Sequence, residues 1–287
     1  MLPAAVQRAI TPHVGDVRAA QSVSGGDINA AWRVETTSGQ RIFIKWNPQP
    51  QPLLFEVEAR GLQLLAQAQA LRVPRVIVVI DQPPALVLEW IDQGVNKQTA
   101  AESLGRGLAQ QHRSIGAAYG LDHDNYIGAT PQINTPADSW IEFFRDRRLG
   151  EQAKLAQARG HLPPDRARRL DRVLQRLDRW IDSSVTVPSL LHGDLWGGNY
   201  LIDASSQPVL IDPAVYYGDR EAELAFTELF GGFGARFYAA YNEVWPLDRG
   251  YRDRRDLYNL YHLLNHLNLF GESYGGSVDA SLRRYGD

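Results

Sequence analysis

An aspartate, an asparagine and a second aspartate stand in order in His192-Gly193-Asp194-Leu195-Trp196-Gly197-Gly198-Asn199 and in Ile211-Asp212-Pro213. Asn199 follows Asp194 by five residues, and Asp212 follows Asn199 by thirteen. Transfer of a phosphoryl group to an alcohol needs a carboxylate beside the attacking hydroxyl, and hard oxygen ligands for the magnesium ion that bridges the phosphates of ATP. Asp194 supplies the first requirement; Asn199 and Asp212 supply the second. Order and spacing match a kinase's catalytic loop, hairpin and metal-binding aspartate. Taken singly, each residue also suits a turn or a cap; it is the set, in this order, that points to chemistry.

A cation completes the pattern. Lys45 lies in the apolar run Ile42-Phe43-Ile44-Lys45-Trp46, where a charge is costly unless partnered, and Glu58 follows it by thirteen residues. In a kinase lobe such a pair grips the α- and β-phosphates, the lysine doing so and the glutamate orienting it. The alternative is a lysine on the edge of a sheet, exposed to solvent. Residue usage bears on the choice. Of the 30 basic residues only Lys45, Lys97 and Lys154 are lysine; a GC-rich genome accounts for the bias as a whole, but a lysine kept inside an apolar strand among 27 arginines marks Lys45 as a site for a compact ammonium rather than a planar fork.

These groups need a scaffold, and the hydrophobic pattern describes one. Up to about residue 92 the chain reads as strand at 17–24, 31–36, 41–46, 75–80 and 85–90, with a hairpin turn at Ser38-Gly39 and one amphipathic helix over 53–69. From Lys97 onward the pattern turns helical, at 98–115, 137–159, 166–181 and again from about 220. Two short strand-like pieces, 199–203 and 208–212, flank an Ala-Ser-Ser-Gln turn. The expected fold is α+β and two-lobed, protein-kinase-like: a small antiparallel sheet with one helix over residues 1–92, and a larger, mostly helical lobe over 93–287, with a ligand in the crevice between them. Ser24-Gly25-Gly26-Asp27 joins the first two strands, where Gly25 and Gly26 could lay amides over phosphates, although the run is not a full glycine-rich motif.

Composition narrows the partners. A net charge of −3 gives no overall basic field for nucleic acid or an anionic membrane, and the longest apolar stretches are strand-length. With no cysteine and no basic segment followed by an apolar run at the start, a cytoplasmic location is expected. His192 reads as a brace for the catalytic loop. His262 and His266 are four apart, but Leu263 stands where a zinc peptidase needs glutamate. Tyr216, Tyr217, Phe230, Phe233, Phe237 and Tyr238 suit either a core or a sugar site.

Several stretches are similar to the fructosamine kinase (ketosamine-3-kinase) family, relatives of aminoglycoside and choline kinases: FEVEARGL at 55–62, DNYIGATPQ at 124–132, WIEFFRDRRL at 140–149, the run 191–199, and DPAVYYGDREAELAFTELFGGF at 212–233. The last is the most specific. The resemblance implies ATP- and magnesium-dependent phosphorylation of the 3-hydroxyl of ketoamines, giving an unstable ester that sheds its sugar. It maps Asp194 to the proton acceptor, Asn199 and Asp212 to metal ligands, and Lys45 and Glu58 to the phosphates. Glu89, Trp90 and Ile91 are mapped to backbone contacts with adenine. An aminoglycoside or other amino-alcohol kinase is the rival enzyme, and a pseudokinase binding module the rival from another class. The latter would lack one of Lys45, Asp194, Asn199 or Asp212. His-Gly-Asp in place of His-Arg-Asp, and the few residues between Asp212 and a helix near 219, leave no phosphorylation-controlled activation segment.

The lysine argument is directly testable. Lys45→Arg is expected to impair ATP use severely while Lys97→Arg and Lys154→Arg have almost no effect; steady-state kinetics in ATP, with thermal melts to confirm folding, would show three equal responses if Lys45 were a surface lysine.

Overall fold

The apolar alternation of the first ninety residues builds a five-stranded antiparallel sheet of order β1-β2-β3-β5-β4 in the computed structural model, which describes residues 2–23, 29–94 and 97–287. The strands are β1 (Val17–Val23), β2 (Ala30–Thr36), β3 (Arg41–Trp46), β4 (Val76–Ile80) and β5 (Ala85–Glu89). Ile42 and Ile44 of β3 point to one face and Lys45 to the other, as the two-residue period of a strand requires. The first face is covered by α1 (Ala4–Val14), whose Val6, Ile10 and Val14 pack with Val34, Ile42, Ile44 and Val87. The second face meets α2 (Leu54–Gln67). The sequence reading gave this lobe one helix; α1 is a second. Its apolar residues recur at every fourth position, but Pro12 lies inside it and reads as a breaker. Placed in the last turn, that proline leaves most of the hydrogen-bond ladder intact.

The second half is built from α3 (Lys97–His112), α4 (Trp140–Phe143), a π-helical segment (Phe144–Gly150), α5 (Glu151–Ala158), α6 (Pro164–Gln175), α7 (Arg220–Leu229), α8 (Ala235–Val244), α9 (Tyr251–Phe270) and α10 (Gly275–Gly286). The helix expected over 137–159 is thus one run broken by a wide turn, and that over 166–181 ends as α6 plus a 3₁₀ turn at Leu177–Arg179. Three two-stranded ribbons pair β6 (Asn125–Ile127) with β7 (Thr130–Gln132), β8 (Ser189–Leu191) with β11 (Tyr216–Gly218), and β9 (Tyr200–Ile202) with β10 (Pro208–Leu210). Only the last was read from sequence, from the Ala-Ser-Ser-Gln turn between its strands; three-residue strands by themselves carry too little alternation to register.

The lobes share one apolar core, in which Phe55, Leu62 and Leu65 of α2 and Leu86 and Leu88 of β5 join Leu104 and Leu108 of α3 and Leu190 and Leu191 of β8. Two polar seams fix the β9–β10 ribbon to the sheet lobe. Arg72 reaches Asp203 at 2.6 Å while its carbonyl accepts from the Leu210 amide, and the Gly94 amide donates to Ile202 at 2.8 Å. No described helix is long and apolar enough to cross a membrane.

Since α1 covers the sheet face opposite Lys45, it contributes to stability rather than to the cleft. Ile10, fully buried, is the measure of that contact: Ile10→Ala is expected to lower the unfolding free energy by about 2–4 kcal/mol in a denaturant titration, with turnover of the folded protein changed less than about twofold.

Candidate active site

Pairing of β8 with β11 lays the loop 192–199 alongside the segment 211–215. The Ala214 amide donates to the His192 carbonyl at 2.9 Å, and the Ile211 amide to the Asn199 carbonyl at 3.0 Å. Between them Gly193 has φ of +84°, and a Cβ there would lie 2.0 Å from the Ala214 carbonyl oxygen. That contact explains why His-Gly-Asp stands here: no side chain fits between the two loops. His192 is buried; its Nε2 donates to the Ile211 carbonyl at 2.9 Å and its Nδ1 accepts from the Asp194 amide at 3.3 Å. Burial holds the imidazole below its usual pKa, so it stays neutral and braces both loops.

Asn199 donates its amide to both the carbonyl (2.8 Å) and the carboxylate (3.0 Å) of Asp194, which leaves its own side-chain oxygen for another partner. Asp212 has φ of +56°, a left-handed conformation costly for a non-glycine residue and typical of functional positions. Its carboxylate accepts from Lys45 Nζ at 2.7 Å, and Glu58 accepts from the same nitrogen at 2.6 Å. Lys45 is 8 % exposed. Burial would lower its pKa, but Asp212 and Glu58 override that and raise it. Glu58 is itself raised by burial, against the pull of Lys45. Two carboxylates therefore share one ammonium. Asp194 is pushed well above the ordinary carboxylate range by desolvation first and by Asp212 second. Oxygen donors on Asn199 and Asp212, with an excess of negative charge between them, form a donor set that suits magnesium. Among the described residues no three or more His, Asp or Glu side chains cluster as a metal cage.

The linker is only partly available. The amides of Glu89 and Trp90 donate to the carbonyls of Arg75 (3.0 Å) and Arg41 (3.3 Å), so neither can meet a base; among the described residues the Ile91 amide has no such partner. Glu89 directs its carboxylate to Arg72 at 3.0 Å. The Trp90 ring packs near Phe43 and under Arg33. Gly25 and Gly26 lie outside the described residues. Of the aromatic candidates, Tyr216 and Phe237 are core, whereas Phe230 is 41 % exposed and packs on His266. His262 is buried against Phe226.

A family model described as fructosamine kinase matches residues 3–285. A probable ketoamine kinase of Synechocystis is 44% identical over 92% of this chain and 89% of its own. The chain belongs to the fructosamine kinase family. The chloroplastic protein-ribulosamine 3-kinase of Arabidopsis thaliana is 40% identical over 92% of this chain and 81% of its own. A crystal structure assigned as a fructosamine-3-kinase from Thermobifida fusca YX-ER1 superposes with a TM-score of 0.89 at 35% identity, covering 98% of both chains. The architecture is that of protein-kinase-like phosphotransferases, and the chemistry of this fructosamine kinase family member is phosphoryl transfer to an alcohol.

One acid of the site escaped the sequence reading. Glu223, on α7 and 3 % exposed, accepts from the backbone amides of His192 (3.2 Å) and Gly193 (2.7 Å) and sits 2.8 Å from His112 Nε2. His112 in turn meets Tyr241 at 2.8 Å, and Arg220 donates to that same hydroxyl. Burial pushes Glu223 up, but His112 and the Gly193 amide pull it further down, so it remains ionised. Its burial emerges only in the fold: residues 220–227 are buried on every side of the helix, so the acids among them must be partnered. Glu223→Ala is expected to cost about 3–5 kcal/mol, the worth of breaking a buried pair, measured by chemical denaturation. Because the folded pKa is depressed, Glu223 contributes in full above the ordinary glutamate value of about 4.3 and loses that contribution only as the pH falls further; the variant should therefore lose less stability than the parent on acidification below it.

Proposed function

We propose that this chain is an ATP- and magnesium-dependent ketosamine-3-kinase, which phosphorylates the 3-hydroxyl of ketoamines formed from sugars and amines and so supports their removal. The observation that carries this reading is the contact of Lys45 with Asp212 across 167 residues of sequence, beside the Asp194–Asn199 pair. Those four residues and Glu58 are the working parts of a kinase. The names of the relatives, ketoamine kinase and ribulosamine 3-kinase, support the substrate class.

In this reading Lys45 holds the α- and β-phosphates and Glu58 keeps it aimed. The Ile91 amide meets adenine, and Gly25 and Gly26 cover the phosphates. Asn199 and Asp212 would hold magnesium, which supplies charge neutralisation on the phosphates when bound. Asp194 takes the proton as the substrate O–H breaks, the new O–P bond forms and ADP leaves with the bridging oxygen. His192, Glu223 and the Gly193 turn keep Asp194 in place.

The rival aminoglycoside reading needs acids free to meet a polycation. In the C-terminal half many are occupied by arginines: Glu221 by Arg254, Glu228 by Arg255, and Asp256 by Arg255 and Arg284. The pseudokinase reading fails to find the missing residue it requires.

With magnesium and ATP, small fructosamines and ribulosamines should be turned over in preference to aminoglycosides, and EDTA should abolish activity. Asp194→Asn should lose about 10²–10⁴ in turnover with ATP affinity barely changed. Preferential phosphorylation of an aminoglycoside, or near-normal turnover by the Asn variant, would sink the reading.

A further inference from the structure

The segment that carries Asp212 is held by a part of the chain that the chemistry does not call on. After Pro213 the backbone runs through Ala214 and Val215 into β11, and their carbonyls point at the β6–β7 hairpin. Asn125 donates its side-chain amide to the Val215 carbonyl at 2.8 Å, and Gln132 donates to the Ala214 carbonyl at 3.0 Å. The two side chains are joined, because Gln132 also donates to Asn125 Oδ1 at 2.7 Å, an oxygen that takes a second bond from Asn134 at 2.9 Å. Tyr261 of α9 closes the set by donating to Gln132 Oε1 at 2.7 Å. Asn125, Gln132 and Asn134 are 6, 2 and 0 % exposed, and a buried amide network satisfied to this degree is rigid.

The same hairpin touches the other lobe. Tyr126, between the two ribbon ends, donates its hydroxyl to the Pro52 carbonyl at 2.9 Å, two residues before α2 begins. α2 itself lies against the held segment: a Cβ at Gly61 would be 3.2 Å from Val215 Cγ2 and 3.6 Å from Pro213 Cγ. Gly61 is one turn after Glu58, so the helix face that carries Glu58 rests on the side chains of Val215 and Pro213, on the segment that Asn125 and Gln132 fix.

We infer that Asn125 and Gln132 are positioning residues for phosphoryl transfer: they hold Asp212 in its strained left-handed conformation through Ala214 and Val215, while Tyr126 ties the start of α2 to the same hairpin. The side chain of Asp212 is turned toward Lys45 and the cleft by a backbone conformation that relaxes if its followers are released. Only six residues separate Asp212 from the Asp219 cap of α7, too few to fold back and support themselves. The hairpin supplies that support in every molecule, without a modification to trigger it. Residues that orient a metal ligand from behind typically cost 10–100-fold in metal affinity when lost.

The inference rests on the proposed metal role of Asp212, and the test separates the two. Gln132→Glu keeps the acceptor for Tyr261 but turns a carboxylate oxygen toward the Ala214 carbonyl. Magnesium titrated at fixed ATP should show the activation constant of this variant raised about tenfold or more, with kcat at saturating magnesium within about threefold of the parent and the melt still cooperative. An unchanged activation constant in folded protein, or a fall in kcat alone, overturns the inference. Tyr126→Phe, which loses one exposed hydroxyl, serves if Gln132→Glu does not fold: KM for ATP should rise about two- to fivefold, and an unchanged KM overturns the tie to α2. Asp212→Asn, run in parallel, should be inactive at every magnesium concentration. If it keeps parental activity and magnesium dependence, the metal role of Asp212 fails and the inference falls with it.

Discussion

A buried ammonium with two carboxylates on it decides how the two lobes of this molecule meet. Lys45 sits in a strand whose neighbours are apolar, and its charge could not stay there unpaired. Glu58 comes from the helix behind the sheet, and Asp212 from the far lobe. The three together tie α2, the sheet and the segment that carries Asp212 to one another across the cleft. Removing Lys45 would leave two acids facing each other without their shared cation, so the geometry of the cleft depends on that one ammonium.

Two further polar groups work from opposite sides of that contact. Glu223 and His112 grip the loop of Asp194 from the floor of the helical lobe, by its backbone amides. Asn125 and Gln132 grip the segment of Asp212 from the lobe interface, by its carbonyls. Donors are matched with an acid and acceptors with amides, so neither loop can shift without orphaning a buried group. The two loops are held by their backbones, which leaves the Asp212 carboxylate for Lys45 and the Asp194 carboxylate for Asn199. A phosphate-dependent arginine contact has no place in this scheme, since Gly193 occupies the position where an arginine would stand and the Ala214 carbonyl fills the room its side chain would need.

The sheet, α2 and the pairing of Lys45 with Glu58 were legible because long alternating or helical runs, and a charge inside an apolar strand, leave strong marks on sequence. The same holds for Asp194, Asn199 and Asp212, whose spacing is set by a loop and a short ribbon. What escaped was of two kinds. Helix α1 hid behind Pro12, a local breaker outweighed by burial of Val6, Ile10 and Val14. The supporting polar residues hid because their partners are backbone groups 30 to 90 residues away, and a side-chain amide that meets a carbonyl has no pattern of its own. Trp90 shows the converse: the resemblance maps its backbone to adenine, but its amide is taken by the Arg41 carbonyl, a ladder bond that only the sheet's register reveals.

The pairing of Lys45 has one more consequence, for the chemistry of sugars. Reducing sugars react with amines through the uncharged nitrogen, by addition to a carbonyl. An enzyme whose substrates arise by that addition meets the parent sugars wherever it works. Lys45, hidden from solvent and held in its protonated form by two acids, offers no lone pair to an aldehyde or ketone. The residue proposed to hold the phosphates is thereby spared the damage the enzyme is proposed to reverse in others.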